Sequence, residues 1–488
     1  MSGPVQPSEF SIKASRGMVW SLAENVGLQL MRFVVSIILA RLLLPEQFGL
    51  IGMLTFFMAL AQSFLDSGFG SALIQKKDAN GIDASSVFYF NLTIGVILTL
   101  GLWFAAPWIA NFYEQTVLIS LTRFLSLNIF LNAFRLVPFA ILTKRMDFKA
   151  IFKISLIAVF FSGSVSIGLA LKGFGVWSLA VQSLLDTLIR LILMWIASRW
   201  RPERVMNLHS LGTMFSYGSR LLISGLLDTI FNNVYQLFIG KVYSAADLGY
   251  YSRAQSMQMV VVQPTGAALG RVIFPALVPF QDDKVRLKQA YNKIMNMAVF
   301  LHFPLIVGLI IVAEPLINLL MTTRWASSIP YFQLFCLVSM LWPLHVLNLN
   351  ILQVTGKSDL FLRLEVAKKS LVVIAIFFTY RYGIQALLWG QVVTSVAAYF
   401  LNSRVAGEVL GYSTFQQIRE FSPYLIMSLV MGVVIYFLGT QIESDLLKIS
   451  VQFSAGVLAY IALNMIFKRS ILIDLLQFSR NILQAQRA

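Results

Sequence analysis

Arginines inside apolar runs are the residues of this chain whose type and spacing could do chemistry. In the stretch 18–44, MVWSLAENVGLQLMRFVVSIILARLLL, the polar residues Ser21, Asn25, Gln29, Arg32 and Ser36 recur at helical spacing. They share one helix face. Arg220, Ser224, Asp228, Asn232 and Tyr235 form a second stripe of nearly the same period. The charged residues within or near apolar runs are Glu24, Arg32, Asp66, Arg123, Arg135, Asp186, Arg190, Arg220, Asp228, Arg253 and Arg271, and arginine outnumbers carboxylate. An arginine in lipid costs at least about 2.5–3.5 kcal/mol, so these faces are expected to meet water or a partner. Guanidinium forks gathered at low dielectric make a cationic surface that holds an anion. Arg32, Arg220 and Arg253 are the candidates for such a surface, with Asn25, Gln29, Asn232, Asn233, Gln255 and Gln258 as hydrogen-bonding groups beside them. Glu24, Asp66 and Asp228 could carry protons or sodium, or pair with the arginines. Asp186 and Arg190 stand four apart and are expected to neutralise each other. Arg123 and Arg135 fit snorkelling or packing as well as cavity lining. His302 and His345 are read as packing residues.

The elements that must position these residues are membrane helices. The chain has 488 residues, 58% hydrophobic and only 12% charged, with a mean hydropathy of +0.75. A soluble domain carries about a quarter charged residues. Spanning windows fall at 18–43, 48–65, 86–110, 117–141, 151–171, 174–198, 213–240, 247–265, 293–313, 329–353, 364–381, 383–403, 421–440 and 446–467. The expected fold is an all-α polytopic membrane protein of about fourteen transmembrane helices. A break at Pro264-Thr265-Gly266 is expected to end one helix and act as a hinge, with Arg271 beyond it. A single cysteine, Cys336, excludes an internal disulfide and a cysteine metal cluster.

The formal charge of +16 would suit nucleic acid, but basic loops on a membrane protein set topology. Segments on one side hold clusters such as Lys144, Arg145, Lys149 and Lys153, or Lys284, Arg286, Lys288 and Lys293. Those on the other side hold only Arg41, Lys172, Lys241, Arg324, Arg381 and Lys448. Both termini are therefore expected on the cytoplasmic side. The first dozen residues lack a cleavable-signal pattern, so the first helix is expected to stay as an anchor. The hydrophilic stretch after Pro279, QDDKVRLKQAYNK, reads as an inner loop, and no loop is long enough for a catalytic domain. Residues 469–488 read as an amphipathic helix on the inner leaflet.

The chain also repeats itself. Ala40–Gly49 (ARLLLPEQFG) matches Gly240–Gly249 (GKVYSAADLG) in character, and Gly70 aligns with Gly270. Two pseudo-symmetric six-helix lobes, 1–204 and 205–404, are expected, followed by two trailing helices in 405–468.

Six segments carry a resemblance to a known family: LARLLLPEQFGLIGM (39–53), DSGFGSALIQKKD (66–78), ILTKRMDFKA (141–150), GFGVWSLAVQSLL (173–185), RVIFPALVPFQDD (271–283) and EPLINLLMTTRW (314–325). With them the chain resembles the polysaccharide-transporter branch of the multidrug/oligosaccharidyl-lipid/polysaccharide superfamily, near the Wzx-type, WzxC-like colanic acid exporters. It departs at Met321-Thr322-Thr323-Arg324-Trp325, where relatives have a glycine before Lys-Trp. The resemblance implies a flippase in the cell inner membrane that moves undecaprenyl-diphosphate-linked oligosaccharide repeat units by alternating access. The arginines would then meet the diphosphate and the amides the sugar hydroxyls. Polymerase or export machinery and membrane lipids are the implied partners, with no nucleic acid, cofactor or metal. A cation-coupled multidrug exporter of the same superfamily is the alternative, and its site should hold fewer arginines. An enzymatic role finds no nucleotide loop, metal cluster or nucleophile constellation.

Overall fold

The computed structural model describes residues 27–66, 69–76 and 80–467, and among them every regular element is helical. The helices are α1 (27–42), α2 (Pro45–Asp66), α3 (Phe69–Gln75), α4 (Gly81–Tyr113), α5 (Val117–Lys144), α6 (Phe148–Leu171), α7 (Val176–Ser198), α8 (Leu208–Val242) and α9 (Ala245–Leu277). They continue with α10 (Lys284–Ile311), α11 (Ala313–Met321), α12 (Ser328–Ser339), α13 (Trp342–Val354), α14 (Ser358–Thr379), α15 (Ile384–Leu410), α16 (Thr414–Thr440) and α17 (Asp445–Phe467). Among the described residues, ten helical segments are long and apolar enough to cross a membrane. The chain is a multi-pass membrane protein.

It divides into two compact units, Met1–Ser252 and Arg253–Ala488, with the boundary inside α9. In the first unit α4 packs on α5, α6 on α7, α5 on α7 and α2 on α8. In the second, α10 packs on α16, α16 on α17, and α15 on α12, α13 and α14.

Helix α1 shows how one element serves three environments. Leu28, Val35 and Leu39 are buried, and Val35 lies so close to Gly163 of α6 that a Cβ there would come within 2.7 Å of it. Leu30, Val34 and Ile38, on another face, are exposed and apolar, as lipid contact requires. Gln29, Arg32 and Ser36 lie between these faces.

Two expected boundaries move. The hydrophilic stretch after Pro279 is not all loop: α10 begins at Lys284, because Asp283 caps it, accepting from the Val285 and Arg286 N–H groups at 3.0 and 3.1 Å. Leu287 and Tyr291 are then buried on its inner face. Nor does Pro264 break its helix, since α9 runs unbroken from Ala245 to Leu277. A membrane helix tolerates the lost hydrogen bond when neighbours satisfy the freed group.

The sequence repeat has a structural counterpart. Helix α1 ends at 42 and α2 begins at Pro45, while α8 ends at Val242 and α9 begins at Ala245. In each corner the same position caps the turn: the Leu44 N–H donates to Gln47 Oε1 at 3.1 Å, and the Ser244 N–H to Asp247 Oδ2 at 3.3 Å. The two corners meet reciprocally. A Cβ on Gly49 would lie 1.6 Å from the Ala245 carbonyl oxygen, and one on Gly249 would lie 1.9 Å from that of Pro45. Only glycine permits backbones this close.

Candidate functional site

Helix periodicity builds a polar cavity inside the first unit. Thr55, Met58, Ala59 and Gln62 of α2, Leu125, Asn128 and Asn132 of α5, and Leu179, Ser183 and Thr187 of α7 recur three or four apart. Each helix therefore turns one stripe inward. The space they enclose is about 350 Å³, within the range of small-ligand sites.

A directed chain of hydrogen bonds crosses from α5 to α2. Arg135 Nε donates to Asn132 Oδ1 at 2.9 Å, Asn132 Nδ2 to Gln62 Oε1 at 3.2 Å, and Gln62 Nε2 to Asp66 Oδ1 at 2.9 Å. A guanidinium and a carboxylate are thus linked through two amides. Nε carries the only hydrogen bond of Arg135 among the described residues, and its guanidinium lies 5.9 Å from the Phe139 ring centroid. Asn128 Oδ1 is buried without a partner.

Arg190 of α7 is spent differently. Its Nε and Nη2 hold Asp186 in a two-point pair at 2.7 and 3.1 Å, and Nη1 donates to Ser155 Oγ of α6. The expected mutual neutralisation of Asp186 and Arg190 is therefore formed, with α6 as an added anchor. Asp66, Asp186 and Arg190 all act electrostatically on Arg135. The amides and hydroxyls that line the cavity can bind and orient a polar group. Among the described residues no group of three or more His, Cys, Asp or Glu could hold a metal.

The sequence-derived candidates are distributed over other elements. Glu24 and Asn25 lie outside the described residues, as does the tail 469–488. Arg32 is exposed and Gln29 half-buried on α1. Arg220 lies on α8. Asp228 and Asn232 are exposed on α8, while Asn233 turns back to donate to the Thr229 carbonyl at 2.8 Å. On α9, Arg253 and Gln255 are half-buried and Gln258 is buried. Asp66 is the candidate that joins the hydrogen-bond chain. Gln62 and Asn132 were absent from the sequence candidates. Their signal was the spacing of Gln62 to Asp66 and Asn132 to Arg135, amides one turn from a charge.

The second unit also buries uncharged polar groups that bond to one another, apart from its apolar cavity of about 420 Å³ between α10, α16 and α17. Tyr291 Oη of α10 lies 3.0 Å from Asn348 Oδ1 and 3.2 Å from Gln417 Oε1, and Gln417 Nε2 donates to the Ser403 carbonyl at 3.4 Å. His345 sits between Asn402 Nδ2 at 3.1 Å and Ser395 Oγ at 3.3 Å. His302 contacts the Ser339 carbonyl at 2.9 Å. Both histidines hydrogen-bond to a neighbouring helix. After α11, Thr322 adopts φ 81° and ψ 162°, with its Oγ1 buried and unpartnered. That conformation belongs to glycine, and it lies in the segment where the sequence departs from its resemblance.

Comparison with known proteins follows the same lines. A family model described as "Polysaccharide biosynthesis protein" matches residues 38–330. The lipopolysaccharide biosynthesis protein WzxC of Escherichia coli (strain K12) is 25% identical over 450 residues, covering 89% of each chain. The succinoglycan biosynthesis transport protein ExoT of Rhizobium meliloti (strain 1021) is 26% identical over 482 residues, covering 96% of this chain and 95% of ExoT. Among solved structures, the lipid II flippase MurJ in an inward closed conformation superposes with a TM-score of 0.74 at 14% identity, over 93% of this chain and 100% of MurJ. That likeness is one of fold.

Proposed function

Given that the chain belongs to the polysaccharide biosynthesis protein family, we propose that it is a flippase for undecaprenyl-diphosphate-linked oligosaccharide repeat units in the cell inner membrane. The cargo is a lipid anchor, a diphosphate and a hydrophilic saccharide, so its passage needs a polar route through apolar helices. An amide-lined cavity whose Asn132 and Gln62 are bonded to Arg135 and Asp66, inside a multi-pass protein, is the observation that favours this reading. Arg32, Arg220 and Arg253 would hold the diphosphate in a cationic cavity open alternately to each side. Asn25, Gln29, Asn232, Asn233, Gln255 and Gln258 would hold sugar hydroxyls, and Glu24 and Asp228 would couple ions or balance charge. In this reading 1–204 and 205–404 form the two lobes, 405–468 the trailing helices, and both termini are cytoplasmic.

The test is export in a strain lacking this gene and any redundant flippase. Lipid-linked repeat units should collect on the inner leaflet and return outside on complementation. The triple variant Arg32→Ala, Arg220→Ala, Arg253→Ala should not complement. Full complementation would remove these arginines from the mechanism, and unchanged outer-leaflet levels in the deletion strain would refute the reading. Greater sensitivity to cationic drugs with normal export would favour the drug-exporter alternative.

A further inference from the structure

Helices α5 and α7 carry three arginines within their apolar lengths, and two are accounted for. Arg190 holds Asp186, and Arg135 lies in the field of Asp66 and Asp186. Arg123 has no such carboxylate among the described residues. Its Nε reaches only the Trp103 carbonyl, at 3.5 Å, and its guanidinium lies 5.4 Å from the Trp103 ring centroid. A cation within a membrane helix calls for a counter-charge.

Arg123 lines a second cavity in the first unit, about 480 Å³, with Trp103, Thr116, Ser120, Phe124 and Trp177. Neither indole N–H has a hydrogen bond among the described residues, and the Thr116 side chain makes no capping bond to α5. The cavity thus offers several uncommitted donors and only one formal charge, which is positive. Along the same helices Phe104, Trp108 and Leu127 are exposed and apolar, Trp108 at 77%. These are lipid-facing residues, with tryptophan at its customary interfacial level. An occupant would therefore come from the bilayer.

We propose that this cavity binds the headgroup of a bilayer phospholipid, its phosphodiester held by the fork of Arg123. A phosphate matches the planar fork, and the bonds are charge-assisted. The indole N–H groups and the hydroxyl of Thr116 supply further donors. A sugar fits less well, because the Trp103 face that would stack on a pyranose is covered by Arg123. The site is separate from the cavity of Gln62 and Asn132 and does not depend on what the protein transports.

The experiment is native mass spectrometry of the purified full chain in detergent, delipidated and titrated with phosphatidylglycerol. Arg123→Gln should weaken binding about tenfold, the size of effect a lost charge-assisted contact produces. Arg123→Lys, which keeps the charge but not the fork, should fall between, and it serves as the assay variant if the glutamine variant does not fold. Arg381→Gln removes an exposed arginine that also stacks on an aromatic ring, at 5.3 Å from Tyr380, and should bind as wild type does. Equal binding by Arg123→Gln, Arg123→Lys and wild type would overturn the proposal. So would an equal loss in Arg381→Gln, which would mean diffuse charge attraction. Farnesyl diphosphate, run in parallel, separates the sources of phosphate. If it bound through Arg123 where phosphatidylglycerol did not, the site would belong to the cargo and the proposal would fail.

Discussion

Between α2, α5 and α7 of the first unit, polar side chains keep full charges, Asp66, Arg135, Asp186 and Arg190, and leave a cavity beside them. Between α10, α13, α15 and α16 of the second unit, Tyr291, Asn348, Gln417, His345 and Asn402 close on one another. A closed neutral network adds rigidity and specifies one packing. An open charged one retains binding capacity at the expense of stability. The contrast suits ligand chemistry in the first of these interiors and scaffolding in the second, and substitutions can test it.

Asp186→Leu should be the most damaging, since it leaves Arg190 buried without its partner. A loss of about 3–5 kcal/mol in thermal unfolding of the purified protein is expected. Wild-type stability would mean that Ser155 alone holds the guanidinium. Next is Arg135→Gln, which should cut export about tenfold, or about 1.4 kcal/mol, with the melting midpoint unmoved. Normal export would take the cavity out of the transport path. Tyr291→Phe tests the other side of the contrast. Removing its hydroxyl should cost about 1–3 kcal/mol of stability while export by the folded fraction stays at wild-type level. A specific transport defect at normal stability would erase the contrast. The smallest effect is expected from Thr322→Gly. Relief of about 1–3 kcal/mol of backbone strain is partly offset by the about 0.5–1 kcal/mol that glycine's extra unfolded-state freedom costs. The net expectation is a melting midpoint a few degrees higher, and a lower one would show that the strain is not borne by Thr322.

Much of the fold was legible because a bilayer imposes long apolar runs. What escaped were places where local pattern yields to neighbours. The charged run before Tyr291 looked like loop, yet Asp283 caps it into α10. Pro264 looked like a break, yet α9 continues through it. At the site, the Asp186–Arg190 pair was legible because both ends lie on one helix face. Ser155, its third partner, is 35 residues away on α6, which no local pattern reveals. Gln62 and Asn132 escaped for a different reason. A search guided by the cost of burying charge passes over neutral amides, although they carry the contact between Arg135 and Asp66.

The crossing of the two corners has an evolutionary consequence. Gly49 is confined by the backbone of Ala245, and Gly249 by that of Pro45. Each glycine is therefore answerable to the other copy of the repeat and not to its own neighbourhood. Among relatives, a bulkier residue at 49 should be accompanied by change around 245, and one at 249 by change around 45.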